Sequence, residues 1–154
     1  MPSPLLLLVE DSAEDAKLIV SALGKVIATE QIAVCESGEK ALDYLLGGGD
    51  RPPLPAGATP PSLPRLVLLD LNLPRMGGFE VLRRIRNDPR TRLLPVVVVS
   101  ASVEARDIRA ATLAGANSYM RKSLDHNRMA DHVQLLARYW LDLNIGPPDT
   151  PYEP

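Results

Sequence analysis

Three stretches of this 154-residue chain are apolar at every position: Leu5 to Val9, Leu66 to Leu69 and Val96 to Val99. A strand with one wet face alternates between apolar and polar residues. A strand without alternation has both faces covered, which is the habit of parallel sheets sandwiched between helices. Each run stops at a polar residue: Glu10 and Asp11 after the first, Asp70 after the second, Ser100 after the third.

The segments between them have helical periodicity. Ser12 is placed to cap a helix carrying Ala16, Ile19, Val20 and Leu23, with Asp15 at capping-box spacing and Gly24 at the end. Gln31 to Val34 reads as a short strand, and Ser37 caps a helix to about Leu46 with Ala41, Leu42 and Leu45 on one face. A helix is predicted from about Phe79 to Asn87, stopped by Pro89. Another runs from Val103 to Ala114, with Gly115 at its C′ position. Ser118 to Met120 is a short strand just before Arg121 and Lys122. The last helix spans about Asp125 to Leu141, with Met129, Val133, Leu136 and Trp140 on its stripe. Five strand–helix units in alternation predict an α/β fold, a doubly wound five-stranded parallel sheet.

Composition excludes several classes. The formal net charge of -2 lacks the basic excess of a dedicated nucleic-acid binder. One cysteine, Cys35, allows no internal disulfide and no cysteine-based zinc site, and it reads as a small buried apolar residue. No apolar run approaches membrane-spanning length and the N-terminus has no secretory pattern, so a cytoplasmic protein is expected. Proline is abundant, 15 in all, and concentrated in two places. Gly47 to Pro64 (47–64) is therefore expected to be an insertion loop, and 142–154 a Pro-containing tail. The folded domain is placed at 1–141, with no output domain after it. Arg83, Arg84, Arg86, Arg90 and Arg92 form a basic cluster read as a solvated helix face.

Open parallel sheets carry their sites at the carboxyl ends of the strands. There the topology gathers Glu10, Asp11, Asp70, Ser100 and Lys122. Three carboxylates within ~5 Å repel by roughly 3 kcal/mol per pair at an effective dielectric of 20. Protonation or a bound cation relieves this, and an all-oxygen site suits Mg²⁺. Lys122 can hold a phosphoryl oxygen and Ser100 can donate to another. Asp70 is the natural nucleophile, since a carboxylate can form an aspartyl phosphate.

These residues, in this register, resemble the response-regulator receiver domains of bacterial two-component signalling. The motifs are the acidic pair Glu10–Asp11, Asp70 in "LLDLNLPRMGGFEVL", Ser100–Ala101, Tyr119 and Lys122. Ser100 and Lys122 follow Asp70 by 30 and 52 residues, the usual separations. The resemblance implies a flavodoxin-like (βα)₅ topology with strand order 2-1-3-4-5. It implies Mg²⁺ on Glu10, Asp11, Asp70 and the backbone carbonyl of Asn72, and a phosphoryl group passing from a sensor histidine kinase to Asp70. Ser100, the Ala101 backbone and Lys122 would bind that group, Ser100 and Tyr119 would act as the switch, and the side chains at Asn72 and Ser102 would tune autodephosphorylation. Such a protein is a phosphoacceptor with self-catalysed phosphorylation and dephosphorylation, not a turnover enzyme.

Two features depart from the common pattern. The usual Pro after the lysine is replaced by Ser123, expected instead to cap the last helix. The long loop, the aromatic end of the final helix and the tail resemble the small stand-alone regulators of bacterial phytochromes. Tyr139 and Trp140 are accordingly expected at a homodimer interface, and neither nucleic acid nor membrane is expected as a partner. Rival readings are a phosphate sink or relay, an adaptor independent of phosphorylation, a flavodoxin-like cofactor binder and a haloacid-dehalogenase-type phosphohydrolase. The acidic "EDSAED" repels an unescorted phosphate, which opposes the cofactor binder. Asn72 cannot serve as the general acid that the hydrolase needs.

Overall fold

The computed structural model describes residues 4–47 and 63–147. The 48–62 part of the insertion loop and the tail beyond 147 lie outside the described residues. Five parallel strands, β1 (Leu6–Val9), β2 (Ile32–Cys35), β3 (Leu66–Asp70), β4 (Val96–Ser100) and β5 (Ser118–Arg121), form one sheet in the order β2-β1-β3-β4-β5. Central β1, β3 and β4 are the three apolar runs. Val9 lies beside Leu69, and Asp70 beside Val99, so the residues that end these strands emerge on one rim.

Because side chains alternate across a strand, each apolar run serves two cores. Leu6, Leu8, Leu66, Leu68, Val97 and Val99 pack with Ile19, Leu23, Met129 and Val133 from α1 (Ala13–Leu23) and α5 (His126–Arg138). Leu7, Val9, Val67, Leu69 and Val96 face the other way, onto Ala41, Leu42 and Leu45 of α2 (Gly38–Leu46) and Val81, Leu82 and Ile85 of α3 (Gly78–Asn87). Val98 meets Ala111 of α4 (Ala105–Leu113) on that same face.

The helix ends follow the polar residues, with corrections. Ser12 and Ser37 cap α1 and α2 by accepting from Asp15 N and Lys40 N, each at 3.2 Å. Gly47 ends α2 with φ 63°, and Gly115 follows α4 with φ 103°, both in the left-handed region that favours glycine. Ser123 does not cap α5. Its hydroxyl accepts from Asp125 N at 3.2 Å, and Asp125 is the cap, accepting from Asn127 N and Arg128 N. The Lys122–Ser123 peptide is trans. Helix α4 starts at Ala105, later than Val103, because Ser102 and Glu104 are engaged in a loop in which Ser102 Oγ accepts from Glu104 N. Helix α5 gives way at Tyr139 to a π-helical turn through Leu143.

The arginine cluster is not a uniformly solvated face. Arg86 reaches across the amino ends of the strands. Its guanidinium donates to Gly115 O at 2.8 Å, Arg92 O at 3.0 Å, Leu94 O at 2.7 Å and Asn117 Oδ1 at 2.8 Å. Asn117 Oδ1 also accepts from Val96 N at 2.8 Å, so one fork ties the α3–β4 and α4–β5 turns together. Its exposed neighbours Arg83 and Arg84 pair with Glu80, and Arg90 pairs with Asp88.

Candidate functional site

The rim at the carboxyl ends of β1, β3 and β5 gathers Glu10, Asp11, Asp70 and Lys122. Glu10 and Asp70 are 3% and 4% exposed, whereas Asp11 is exposed. One carboxylate oxygen from each of the three acids lies within 4.8 Å of the others. Asp70 Oδ1 accepts from Asn72 N at 3.0 Å, and Glu10 Oε1 from Ser12 N at 3.3 Å. The loop after β3 alternates: Leu71 and Leu73 are buried while Asn72 is exposed, which leaves Asn72 on the side of solvent.

Lys122 enters from beyond β5, where its N–H donates to Ser100 O at 2.8 Å. Its Nζ lies 3.1 and 3.0 Å from the two Glu10 oxygens, 3.0 Å from Asp15 Oδ2 and 3.3 Å from Asp70 Oδ2. Asp15 therefore joins the site, a role its capping-box position did not announce. Its backbone N–H serves the Ser12 cap while its carboxylate crosses to Lys122. The ion pairs show in the ionisation of Lys122. Burial pushes its ammonium down, but Asp15, Asp70 and Glu10 outweigh this and hold it above its ordinary value. For Glu10, burial and then the charge of Asp70 push the carboxyl up to about 7, against the pull of Lys122.

One ammonium cannot offset the carboxylates of Glu10, Asp11, Asp15 and Asp70. The donor set is all oxygen, hard and open to water at Asp11, and it suits a divalent cation. The pH behaviour follows. Below pH 4.5 Glu10 is protonated folded and unfolded alike; between 4.5 and about 7 only the folded chain keeps the proton. Without a divalent ion, the contribution of Glu10 to stability therefore falls as pH rises through that window. A cation on the cluster must displace the proton, so its stabilising effect grows as pH rises. Melting curves at about pH 5 and about pH 8, with and without Mg²⁺, should show a metal-induced rise that is larger at the higher pH. A rise equal at both would contradict the placement of Glu10 in the metal site.

Ser100 is fully buried at the end of β4, and its Oγ accepts from Ser102 N at 3.2 Å. Ala101 beside it is exposed. Tyr119 is half-buried on β5 and donates its hydroxyl to Ser102 O at 2.9 Å. The Ser102 hydroxyl donates to Asp107 Oδ2 at 2.6 Å. Ser100 and Tyr119 are thus linked through one residue of the β4–α4 loop. Tyr139 and Trp140 lie apart from this rim, in the turn that ends α5, with ring centroids 5.2 Å apart and planes at 87°. Cys35 is buried in the core, and burial raises its thiol, as expected of an inert residue.

The model of the response regulator receiver domain family matches residues 6–134. The chain is a response regulator receiver domain. It is 39% identical to the probable methanogenesis regulatory protein FilR2 of Methanothrix harundinacea, over 93% of this chain and 87% of that one. It is 32% identical to response regulator Rcp1 of Synechocystis, over 92% of this chain and 91% of Rcp1. The Mn(2+)-bound crystal structure of Rcp1 superposes with a TM-score of 0.78 over 96% of this chain and 100% of that one, at 30% identity. The phosphorylated cyanobacterial phytochrome response regulator RcpA superposes with a TM-score of 0.80, at 33% identity, over 96% of this receiver and 99% of RcpA. No helix among the described residues of the receiver is long and apolar enough to cross a membrane.

Proposed function

We propose that this receiver accepts a phosphoryl group on Asp70 from a sensor histidine kinase, with Mg²⁺ as cofactor. The observation that carries the reading is the sharing of Lys122 Nζ between Glu10 and Asp70, two carboxylates almost closed to solvent. Such a site is poised to exchange carboxylate–ammonium contacts for a phosphoryl group and a metal. Glu10, Asp11, Asp70 and the Asn72 carbonyl would hold Mg²⁺, which when bound offsets phosphoryl charge. An Asp70 oxygen attacks phosphorus, the P–N bond of the kinase phosphohistidine breaks, and the imidazole leaves with the electron pair. Lys122, the Ser100 hydroxyl and the Ala101 N–H would receive the phosphoryl oxygens. Ser100 turning toward them gives up its bond to Ser102 N and loosens the residue that Tyr119 holds, which is the switch. In this reading the side chains of Asn72 and Ser102 would tune hydrolysis. Acetyl phosphate with Mg²⁺ should add one hydroxylamine-labile phosphoryl group; no label would overturn the reading.

A phytochrome-type kinase is the partner we assign. Its support is the similarity to RcpA and Rcp1 along nearly the whole of each chain. Phosphotransfer from a phytochrome kinase faster than from unrelated histidine kinases is the expected result.

We also assign a homodimer formed through the end of α5. Leu135, Tyr139, Leu143 and Ile145 are 63%, 49%, 71% and 96% exposed, an apolar strip that a monomer leaves in water. Trp140 packs partly on the core behind it and props Tyr139. A two-fold axis would let the strip meet itself. Sedimentation across micromolar concentrations should show a dimer that dissociates in Leu135→Ala/Tyr139→Ala. A dimer indifferent to both changes would place the interface elsewhere.

A further inference from the structure

The Lys122 ammonium has three protons and four carboxylate oxygens around it, and Asp70 Oδ2, at 3.3 Å, is the farthest of them. We infer that Asp15 is a positioning residue that parks Lys122 in the unphosphorylated protein and releases it to the phosphoryl group. The inference rests on Asp70 being the phosphoacceptor.

A phosphoryl group adds roughly −1.5 to −2 charge and three acceptor oxygens. To reach it, Lys122 must give up an existing partner. Glu10 is buried, its side chain 1% exposed, so water cannot take the place of the ammonium there. The Asp15 side chain is 45% exposed on the first turn of α1, so water can take over its hydrogen bonds. Asp15 is therefore the partner that gives way. Its Ser12 capping bond runs through the backbone N–H and survives the exchange. The strength of the Asp15–Lys122 pair is then subtracted from the affinity of the phosphorylated state.

The test is the affinity of the full chain for beryllofluoride, a phosphoryl mimic, at saturating Mg²⁺. Asp15→Asn should bind about three- to fivefold tighter, the scale of a half-exposed ion pair, and its acetyl-phosphate-labelled form should decay correspondingly more slowly. Glu14→Gln removes the same charge from the same helical turn, at an exposed side chain outside the Lys122 cluster, and should leave the affinity nearly unchanged. Unchanged affinity in Asp15→Asn overturns the inference, because a merely structural salt bridge would alter melting only. An equal gain in Glu14→Gln also overturns it, since the effect would then be general charge. Failure of the unsubstituted protein to bind beryllofluoride overturns the phosphoacceptor reading and the inference with it.

Discussion

Asp70→Asn should abolish acetyl-phosphate labelling and at the same time stabilise the metal-free protein. Asp70 and Glu10 are nearly closed to solvent and repel each other; that repulsion is a leading reason, after burial, why the Glu10 carboxyl is pushed up to about 7. An amide at position 70 removes the charge and keeps an oxygen to accept from Asn72 N, the bond now made by Oδ1 at 3.0 Å. Lys122 loses only its longest contact, 3.3 Å, and keeps Glu10 and Asp15. The net gain should be about 1–3 kcal/mol: at an effective dielectric of 20 the two like charges within 4.8 Å of Asp70, on Glu10 and Asp11, repel it by about 7 kcal/mol together, against about 5 kcal/mol of lost attraction to Lys122. Glu10 should then titrate nearer its ordinary value, and the stabilisation by Mg²⁺ should largely disappear. Denaturant titrations with and without Mg²⁺ read both effects. Undiminished labelling, or a less stable metal-free protein, would contradict the assignment of Asp70.

Gly78→Ala should cost about 3 kcal/mol or more and cripple phosphoryl acceptance, whereas Gly77→Ala should cost at most about 1 kcal/mol. The first turn of α3 lies directly on the end of β3, with Gly78 N donating to Leu71 O at 3.0 Å. A Cβ at Gly78 would fall 2.4 Å from Asp70 O and 2.7 Å from Leu71 Cα. These are backbone atoms of Asp70 and the residue after it, so no side chain can turn aside. Either α3 lifts from the sheet or Asp70 shifts. At Gly77 the nearest atom would be 3.9 Å away, and the residue has an ordinary extended conformation with φ −69°. Unfolding midpoints for the two variants make a matched comparison, and equal losses would rule out the close approach as the cause.

The central strands were legible because burial on both faces writes itself as an unbroken apolar run, and the acidic and hydroxyl residues that end those runs emerge on the rim of the candidate site. What escaped was set by distant partners. Asp15 looked like a capping residue because its pairing with Lys122 spans 107 residues. Arg86 looked solvated among its arginines because Gly115 and Asn117, its acceptors, come about as many residues later as an entire strand–helix unit. Ser123 and Asp125 are both good caps two residues apart, and local sequence does not decide between them. The π-helical turn at Tyr139 leaves no mark in the apolar stripe.

The Arg86 fork has a bearing on local unfolding. Its acceptors are three backbone carbonyls and one amide, none of which titrates, so the fork holds across the pH range. The opposite rim crowds Glu10, Asp15 and Asp70 around one ammonium, and there like charges oppose one another. In the metal-free protein the two ends of one sheet should therefore open unequally. The amides of the Asp70 end exchange first, while those around Val96 and Asn117 remain protected until the whole domain melts.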